Sequence, residues 1–293
     1  MVKEREVKLS SLDKVLWPDP GIDKAQLLDY HIKLAPYSLK YWQNRPLTLT
    51  RYPKGVLETG FYQKNCPESA PDWVKRVLPV GKEAVTNDIV VDQLSTLIWW
   101  VNQSAIEFHP ATYDLVHLSN PSFAIIDLDP TAPTGFLEAV QVATYTRVIL
   151  DELGLRGYPK TSGGTGVHIY IPLEPIYTFA QTNRLIEFIG ELLSRFYPMQ
   201  VTQERLIKNR NGVYIDHMQN RANKTIVGVY SPRPLNNAPV STPVTWDELG
   251  SIHPGDFTVS SIIDRINSVG DIFAPVLTDK QNIDHLIPLM TKQ

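Results

Sequence analysis

The residues best suited to chemistry lie in one short run, Phe123-Ala124-Ile125-Ile126-Asp127-Leu128-Asp129-Pro130. Four apolar residues leading into two carboxylates read as a buried strand, and Pro130 ends it because proline has no N–H to give a ladder. Side chains alternate along a strand, so Asp127 and Asp129 share a face about 6–7 Å apart. Two carboxylates at that spacing repel unless a cation lies between them. One or two hard divalent ions with oxygen ligands fit; the plain alternative is a strand end whose Asp side chains face water. Val213-Tyr214-Ile215-Asp216 reads as a second short strand with Tyr214 and Asp216 on one face. A third carboxylate there would make a two-metal site for phosphoryl or nucleotidyl transfer.

Other polar groups could serve such a site. Thr161-Ser162-Gly163-Gly164-Thr165-Gly166 enters a strand carrying His168 and Tyr170 on one face. Small hydroxyl residues and glycines can offer backbone N–H groups to phosphate oxygens, although a hairpin turn needs the same residues. His109 stands in Glu107-Phe108-His109-Pro110, ahead of the two-Asp strand. Lys14 and Lys24 bracket a Pro-Gly turn, while Arg51, Lys54 and Lys64 surround the aromatic pair Phe61-Tyr62. Basic residues beside neighbouring aromatics suit phosphate contact with base stacking, or equally lysine stems lying over half-buried rings.

Several kinds of element must position these groups. Helices are expected from Asp23, with Gln26 as its capping-box partner, to Leu34; from after Thr134 to Gly154; from Thr178, with Gln181 three residues on, to Pro198; and over 260–269. The third is expected to bury Leu185, Ile189, Leu192 and Phe196. Strands are expected over 47–52, 124–128, 167–172, 212–216 and 225–230. Short strands in irregular alternation with helices indicate an α+β fold, with helices flanking mixed or antiparallel sheets, rather than a doubly wound parallel sheet.

The 293 residues are 43% hydrophobic and 20% charged, enough to bury a real core and inconsistent with disorder. The net charge of -3 is uneven: 86–152 is strongly acidic and 204–233 basic. That pattern suits a metal centre beside a polyanion cradle, or ordinary solvated surface. A single cysteine, Cys66, leaves no internal disulfide, and no apolar stretch reaches the length of a membrane span. The charged start MVKEREVKLS has no apolar signal core. A cytoplasmic protein is therefore expected, without a membrane partner. No GxGxxG, P-loop or GxSxG sequence occurs.

In their order and spacing, IIDLDP, TSGGTGVHIYIPL and YIDHMQN followed by Lys224-Thr225 resemble the polymerase/primase domain of bacterial ligase D and its stand-alone relatives, within the archaeo-eukaryotic primase superfamily. The resemblance runs from about Leu9 to Leu249. It implies a primase-like core of short mixed and antiparallel sheets flanked by helices, in one catalytic domain over 1–293. Within it, 1–85 would bind DNA and the 5′-phosphate, 86–250 would form the catalytic core, and 251–293 a helical tail.

The resemblance also implies roles for particular residues. Asp127, Asp129 and Asp216 match the family's metal triad, which holds two divalent ions, manganese in preference to magnesium. His109, Ser162, Gly163, Thr165, His168, Lys224 and Arg233 match positions around the incoming nucleotide, and Lys14 and Lys24 the pocket for a 5′-phosphate across a gap. Arg51, Lys54, Phe61, Tyr62, Lys64 and Arg210 match DNA and template contacts. Thr165 stands where many relatives carry Lys or Arg, and His217 where an aromatic is common.

The implied function is gap filling and end extension in non-homologous end joining, with a preference for ribonucleotides. The implied partners are gapped or broken DNA carrying a 5′-phosphate, NTP or dNTP, Ku and a separate DNA ligase, in a prokaryotic, nucleoid-associated setting. No ligase-type Lys-x-Asp-Gly sequence occurs. Two rival readings stand. One is a haloacid-dehalogenase-type phosphatase using Asp127, Asp129 and Thr131, though the later acidic motif it needs is missing. The other is a catalytically inactive DNA end-binding module.

Overall fold

The computed structural model describes residues 5–77 and 87–290. In chain order the elements are β1 (Val15–Trp17), β2 (Ile22–Asp23), α1 (Lys24–Trp42), β3 (Pro46–Arg51), β4 (Phe61–Gln63), β5 (Arg76–Val77), β6 (Asp88–Val90), α2 (Leu94–Asn102), β7 (Ala105–Pro110) and β8 (Phe123–Pro130). There follow α3 (Phe136–Glu152), β9 (Tyr158–Thr161), β10 (Val167–Pro172), α4 (Phe179–Phe196), β11 (Val201–Thr202), β12 (Val213–Ile215), α5 (Ile262–Val269), α6 (Pro275–Thr278) and α7 (Ile287–Met290). The fold is α+β. No described helix is long and apolar enough to cross a membrane.

The chain forms two compact units. The first comprises Met1–Ala111, Thr225–Ser241 and Phe257–Gly270; the second comprises Thr112–Lys224, Thr242–Asp256 and Asp271–Gln293. The division expected at 85/86 touches residues outside the described ones, and the units cut across the division at 250/251.

In the first unit β3 is the hub. It pairs antiparallel with β7 along one edge, and on the other with β6 at its start and β4 at its end. Helix α1 starts at Asp23, where the expected capping box with Gln26 is formed. It continues to Trp42, beyond the end expected at Leu34 and through Pro36. Proline costs an internal hydrogen bond, but the second half buries Ala35, Ser38, Tyr41 and Trp42, and that packing carries the helix on. Trp42 stacks on Phe108 of β7, with ring centroids 4.9 Å apart and 9° between planes.

The second unit is built on a sheet ordered β11-β12-β8-β10-β9, antiparallel except for β11 with β12. Helices α3 and α4 pack on β8, against the face that carries the fully buried Ala124, Ile126 and Leu128. The Thr178–Gln181 capping box of α4 forms as expected. Its buried face takes Leu185, Ile189 and Leu193, whereas Phe196, expected inside, is 61% exposed in the last turn. On the opposite face of the sheet Phe123 packs on Tyr170, whose ring lies 5.4 Å from that of Phe273. The Asp127 and Asp129 end of β8 lies beyond this apolar cluster.

The strand expected over 225–230 is instead an irregular segment. It donates to β7 through Ile226 N–H to Pro110 O at 3.3 Å and Gly228 N–H to Phe108 O at 2.8 Å. It then leaves strand geometry at Tyr230, where φ is 62°. Gly228 makes this approach possible, since a Cβ there would lie 2.6 Å from Trp42 Nε1 and 3.0 Å from Phe108 O.

Candidate active site

In the second unit, register assembles the acidic group. Asp127 on β8 stands opposite His168 on β10, and Asp129 stands opposite Tyr214 on β12. Just beyond β12, Asp216 donates its backbone N–H to Asp127 O at 3.2 Å. Alternation therefore puts Asp127, Asp129, Asp216, His168 and Tyr214 on one face of three neighbouring strands. The 3-10 turn His217–Asn220 locks this corner: Asn220 accepts from Ile125 N–H and donates to Ile125 O, each at 2.8 Å, so a side chain continues the strand pairing.

Each carboxylate has its own surroundings. Asp127 Oδ1 lies 3.3 Å from His168 Nε2, whose side chain is buried. Asp129 accepts from Arg210 Nη1 at 3.3 Å, and the same nitrogen donates to Thr131 Oγ1 at 3.2 Å. The Arg210 guanidinium lies 3.7 Å above the Tyr214 ring. Asp216 Oδ1 accepts from Met218 N–H at 3.0 Å and from the Tyr214 hydroxyl at 3.3 Å. Partial burial and then the Asp127 charge push the Asp129 carboxyl up; Arg210 offsets part of this and Asp216 adds to it. Negative charge on this face is thus self-repelling, which is the condition a divalent cation relieves.

The oxygen donors suit a hard divalent ion, but they do not converge as they stand. Among the described residues no three His, Cys, Asp or Glu side chains are gathered closely enough to hold a metal. Asp129 is engaged with Arg210, and Asp216 with the Met218 N–H and the Tyr214 hydroxyl.

The glycine-rich segment is a hairpin turn between β9 and β10, with Ser162 N–H donating to Gly166 O at 2.9 Å. Gly164 and Gly166 aim their N–H groups at Ser162 Oγ, each at 3.1 Å. Both donors are therefore satisfied inside the turn rather than presented outward. Gly163 takes φ 77°, and a Cβ on Gly166 would meet Leu128 O at 2.7 Å. Gly166→Ala should push the hairpin off β8 and cost about 2 kcal/mol of stability, read as a lowered denaturation midpoint with an unchanged slope. Thr165 and Lys224 are exposed.

The first unit holds the remaining expected residues. Phe61 and Tyr62 on edge strand β4 are 45% and 77% exposed, and the Arg51 guanidinium lies 5.3 Å from the Phe61 ring centroid. Arg51 also donates to Gln63 Oε1 at 2.6 Å and to Gln103 O at 2.8 Å. Lys54 is exposed and Lys64 half-buried. Lys14 donates to Pro53 O. Lys24, matched to the 5′-phosphate pocket, is buried and donates to Ser10 O at 2.9 Å and Asn102 O at 3.1 Å. Burial and then the Lys14 charge pull its pKa down.

Sequence reasoning gave Glu107 no role, yet it joins two of the expected residues. Its Oε1 accepts from Arg233 Nε at 2.7 Å, and its Oε2 lies 3.6 Å from His109 Nε2. Burial raises the Glu107 carboxyl, but the neighbouring His109 ring and then the Arg233 charge bring it down to about 2. A folded-state pKa below the ordinary 4.5 gives stability that is present above about pH 4.5 and lost as pH falls toward 2. Glu107→Gln should therefore lower unfolding free energy by about 3 kcal/mol at pH 7. The difference from the wild type should close through that acidic window in pH-dependent denaturation; a constant difference would disprove the linkage. Only the i, i+2 spacing with His109 hinted at this residue.

A model of the LigD primase-polymerase domain family matches residues 23–273. The bifunctional non-homologous end joining protein LigD of Bacillus subtilis is 37% identical over 268 residues, covering 90% of this chain and 43% of that protein. The multifunctional non-homologous end joining protein LigD of Mycolicibacterium smegmatis is 30% identical over 289 residues, covering 98% and 38%. The chain thus spans about two fifths of the length of these relatives. Among solved structures, the polymerase domain of Mycobacterium tuberculosis ligase D in complex with DNA superposes with a TM-score of 0.88 at 28% identity. That match covers 95% of this chain and all of the other.

Proposed function

From a chain that belongs to the LigD primase-polymerase domain family, and is therefore a nucleotidyltransferase, we propose a template-directed polymerase that fills gaps and extends DNA ends in non-homologous end joining, with ribonucleotides preferred. The observation that carries it is the set of Asp127 and Asp129 on β8 and Asp216 just past the neighbouring β12, all on one face of the sheet, with His168 of β10 against Asp127. The three carboxylates would hold two divalent ions, manganese in preference to magnesium. Bound there, such ions supply positive charge for the attacking 3′-hydroxyl and the departing pyrophosphate.

The chain's own residues do the rest. His168 buttresses Asp127. Arg210 offsets part of the negative charge on this face through Asp129 and is assigned to DNA phosphate. His109, Ser162, Gly163, Thr165, Lys224 and Arg233 are assigned to the nucleotide. Ser162 does so as the anchor of its turn, because the turn's N–H groups already bond to it. Lys14 and Lys24 are assigned to the 5′-phosphate; Arg51, Lys54, Phe61, Tyr62 and Lys64 to the template, with exposed rings for stacking. DNA carrying gaps or overhangs, NTP, Ku and a separate ligase are the proposed partners, in the bacterial cytoplasm at the nucleoid.

The phosphatase reading loses its footing in the topology. A haloacid-dehalogenase-type nucleophile rides a strand of a parallel sheet, whereas β8 is antiparallel to both neighbours.

Primer extension on a one-nucleotide gap with a 5′-phosphate tests the proposal, comparing NTP with dNTP in manganese and in magnesium. Templated incorporation favouring NTP is expected. Binding without incorporation in either metal would overturn the polymerase assignment in favour of an inactive end-binder.

A further inference from the structure

A buried carboxylate lies between the two residues assigned to the nucleotide in the first unit, His109 and Arg233. The Glu107 side chain is 7% exposed, that of His109 15% and that of Arg233 25%. Glu107 Oε1 takes the Arg233 Nε–H at 2.7 Å, and Oε2 faces His109 Nε2 at 3.6 Å. A negative charge beside groups that meet a triphosphate is repulsive on its own, so its presence calls for a compensating effect.

We infer that Glu107 is a positioning residue for nucleotide binding, fixing the Arg233 guanidinium plane and the His109 ring before the triphosphate arrives. The inference rests on the nucleotide-binding reading of those two residues. A free Arg side chain carries about 2 kcal/mol of rotamer entropy that an incoming anion would otherwise have to remove. Holding it through Nε settles that ordering in the folded protein and sets the direction in which the Nη edge points.

The support for this clamp is stiff. Glu107 and His109 share a face of β7 opposite Thr50 and Thr48 of β3, while Phe108 between them stacks on Trp42. The segment that delivers Arg233 is tied directly to the same strand. Gly228 N–H donates to Phe108 O at 2.8 Å, and Phe108 N–H to Ser231 Oγ at 2.9 Å. Tyr52 also faces this group. Burial and then the Glu107 charge push its phenol up to about 12, so it stays neutral and adds no competing charge.

The test is steady-state gap filling by Glu107→Gln, with NTP binding and gapped-DNA binding each measured calorimetrically. KM for the nucleotide should rise about tenfold with kcat within about twofold, because the interaction lost serves ground state and transition state alike. Gapped-DNA affinity should not move. Arg233→Lys, which keeps the charge but cannot use the Nε contact, should raise the nucleotide KM similarly, and Glu107→Asp should recover part of the loss. If nucleotide binding, DNA binding and kcat all fall together in Glu107→Gln, the residue is merely structural and the inference is overturned. It is also overturned if Arg233→Ala raises KM while Glu107→Gln and Arg233→Lys do not. If Arg233→Ala leaves nucleotide KM unchanged, the underlying assignment of Arg233 has failed, and the inference goes with it.

Discussion

Asp127→Ala is expected to lower templated incorporation by about a thousandfold or more, roughly 4 kcal/mol of transition-state stabilisation, while affinity for gapped DNA stays at the wild-type level. Asp127 is the central carboxylate: β8 runs between β10 and β12, so it has His168 on one side and the Asp216 backbone on the other. In the proposed mechanism its loss would remove one of the oxygen donors assigned to the divalent ions. Asp129→Asn should be equally inactive, and it carries a second signature. The Asp129 carboxyl is pushed up, so ionising it costs more in the folded protein than in the unfolded chain. A group with a raised carboxyl pKa withdraws stability as pH rises through its titration. Removing the charge should therefore leave the melting temperature of the metal-free protein equal to or above that of the wild type. A residue kept for structure would show the opposite, while one kept for catalysis carries such a stability cost. Incorporation by Asp127→Ala at the wild-type rate in manganese would sink the three-carboxylate mechanism. Loss of DNA binding along with activity would make these residues part of the fold instead.

Features that depend on near neighbours in the chain were legible in the sequence. The two-Asp strand appears because apolar residues and Pro130 bound it, and the Asp23–Gln26 and Thr178–Gln181 caps appear because both partners lie within one turn. Features settled by distant packing were not. Helix α1 passes Pro36 because Tyr41 and Trp42 find burial against other elements. The segment over 225–230 has strand composition, but Tyr230 at φ 62° ends any regular ladder. The glycine-rich turn is identifiable as a turn, yet only coordinates reveal that its N–H groups converge on Ser162 Oγ. The Glu107–Arg233 pair joins residues 126 apart, and no local pattern could announce it. The three Asp positions were readable through a family resemblance and through strand alternation. That Asp129 is paired with Arg210 was not, since the arginine arrives on a loop.

The two lysines assigned to the 5′-phosphate should separate when mutated, because the fold treats them differently. Lys14→Ala is expected to weaken binding to a gap bearing a 5′-phosphate by about tenfold, with little effect on the same gap ending in a 5′-hydroxyl. Its ammonium touches the protein through Pro53 O and is half-buried, so the fold should tolerate its loss. Lys24 bridges Ser10 O and Asn102 O from a buried position, while Asn102 itself holds Ser10 N–H at 3.0 Å and donates to Lys8 O at 3.2 Å. Lys24→Ala leaves two carbonyls without their donor and should cost about 1–3 kcal/mol of stability on top of the phosphate discrimination. Burial and then the Lys14 charge lower the Lys24 pKa, and the second of these is what a phosphate dianion would relieve. Phosphate discrimination should accordingly shrink as salt rises, and faster in the wild type than in Lys14→Ala. Equal weakening on phosphorylated and hydroxyl-ended gaps, in both variants, would reduce the pair to a general electrostatic surface and remove the 5′-phosphate pocket from the assignment.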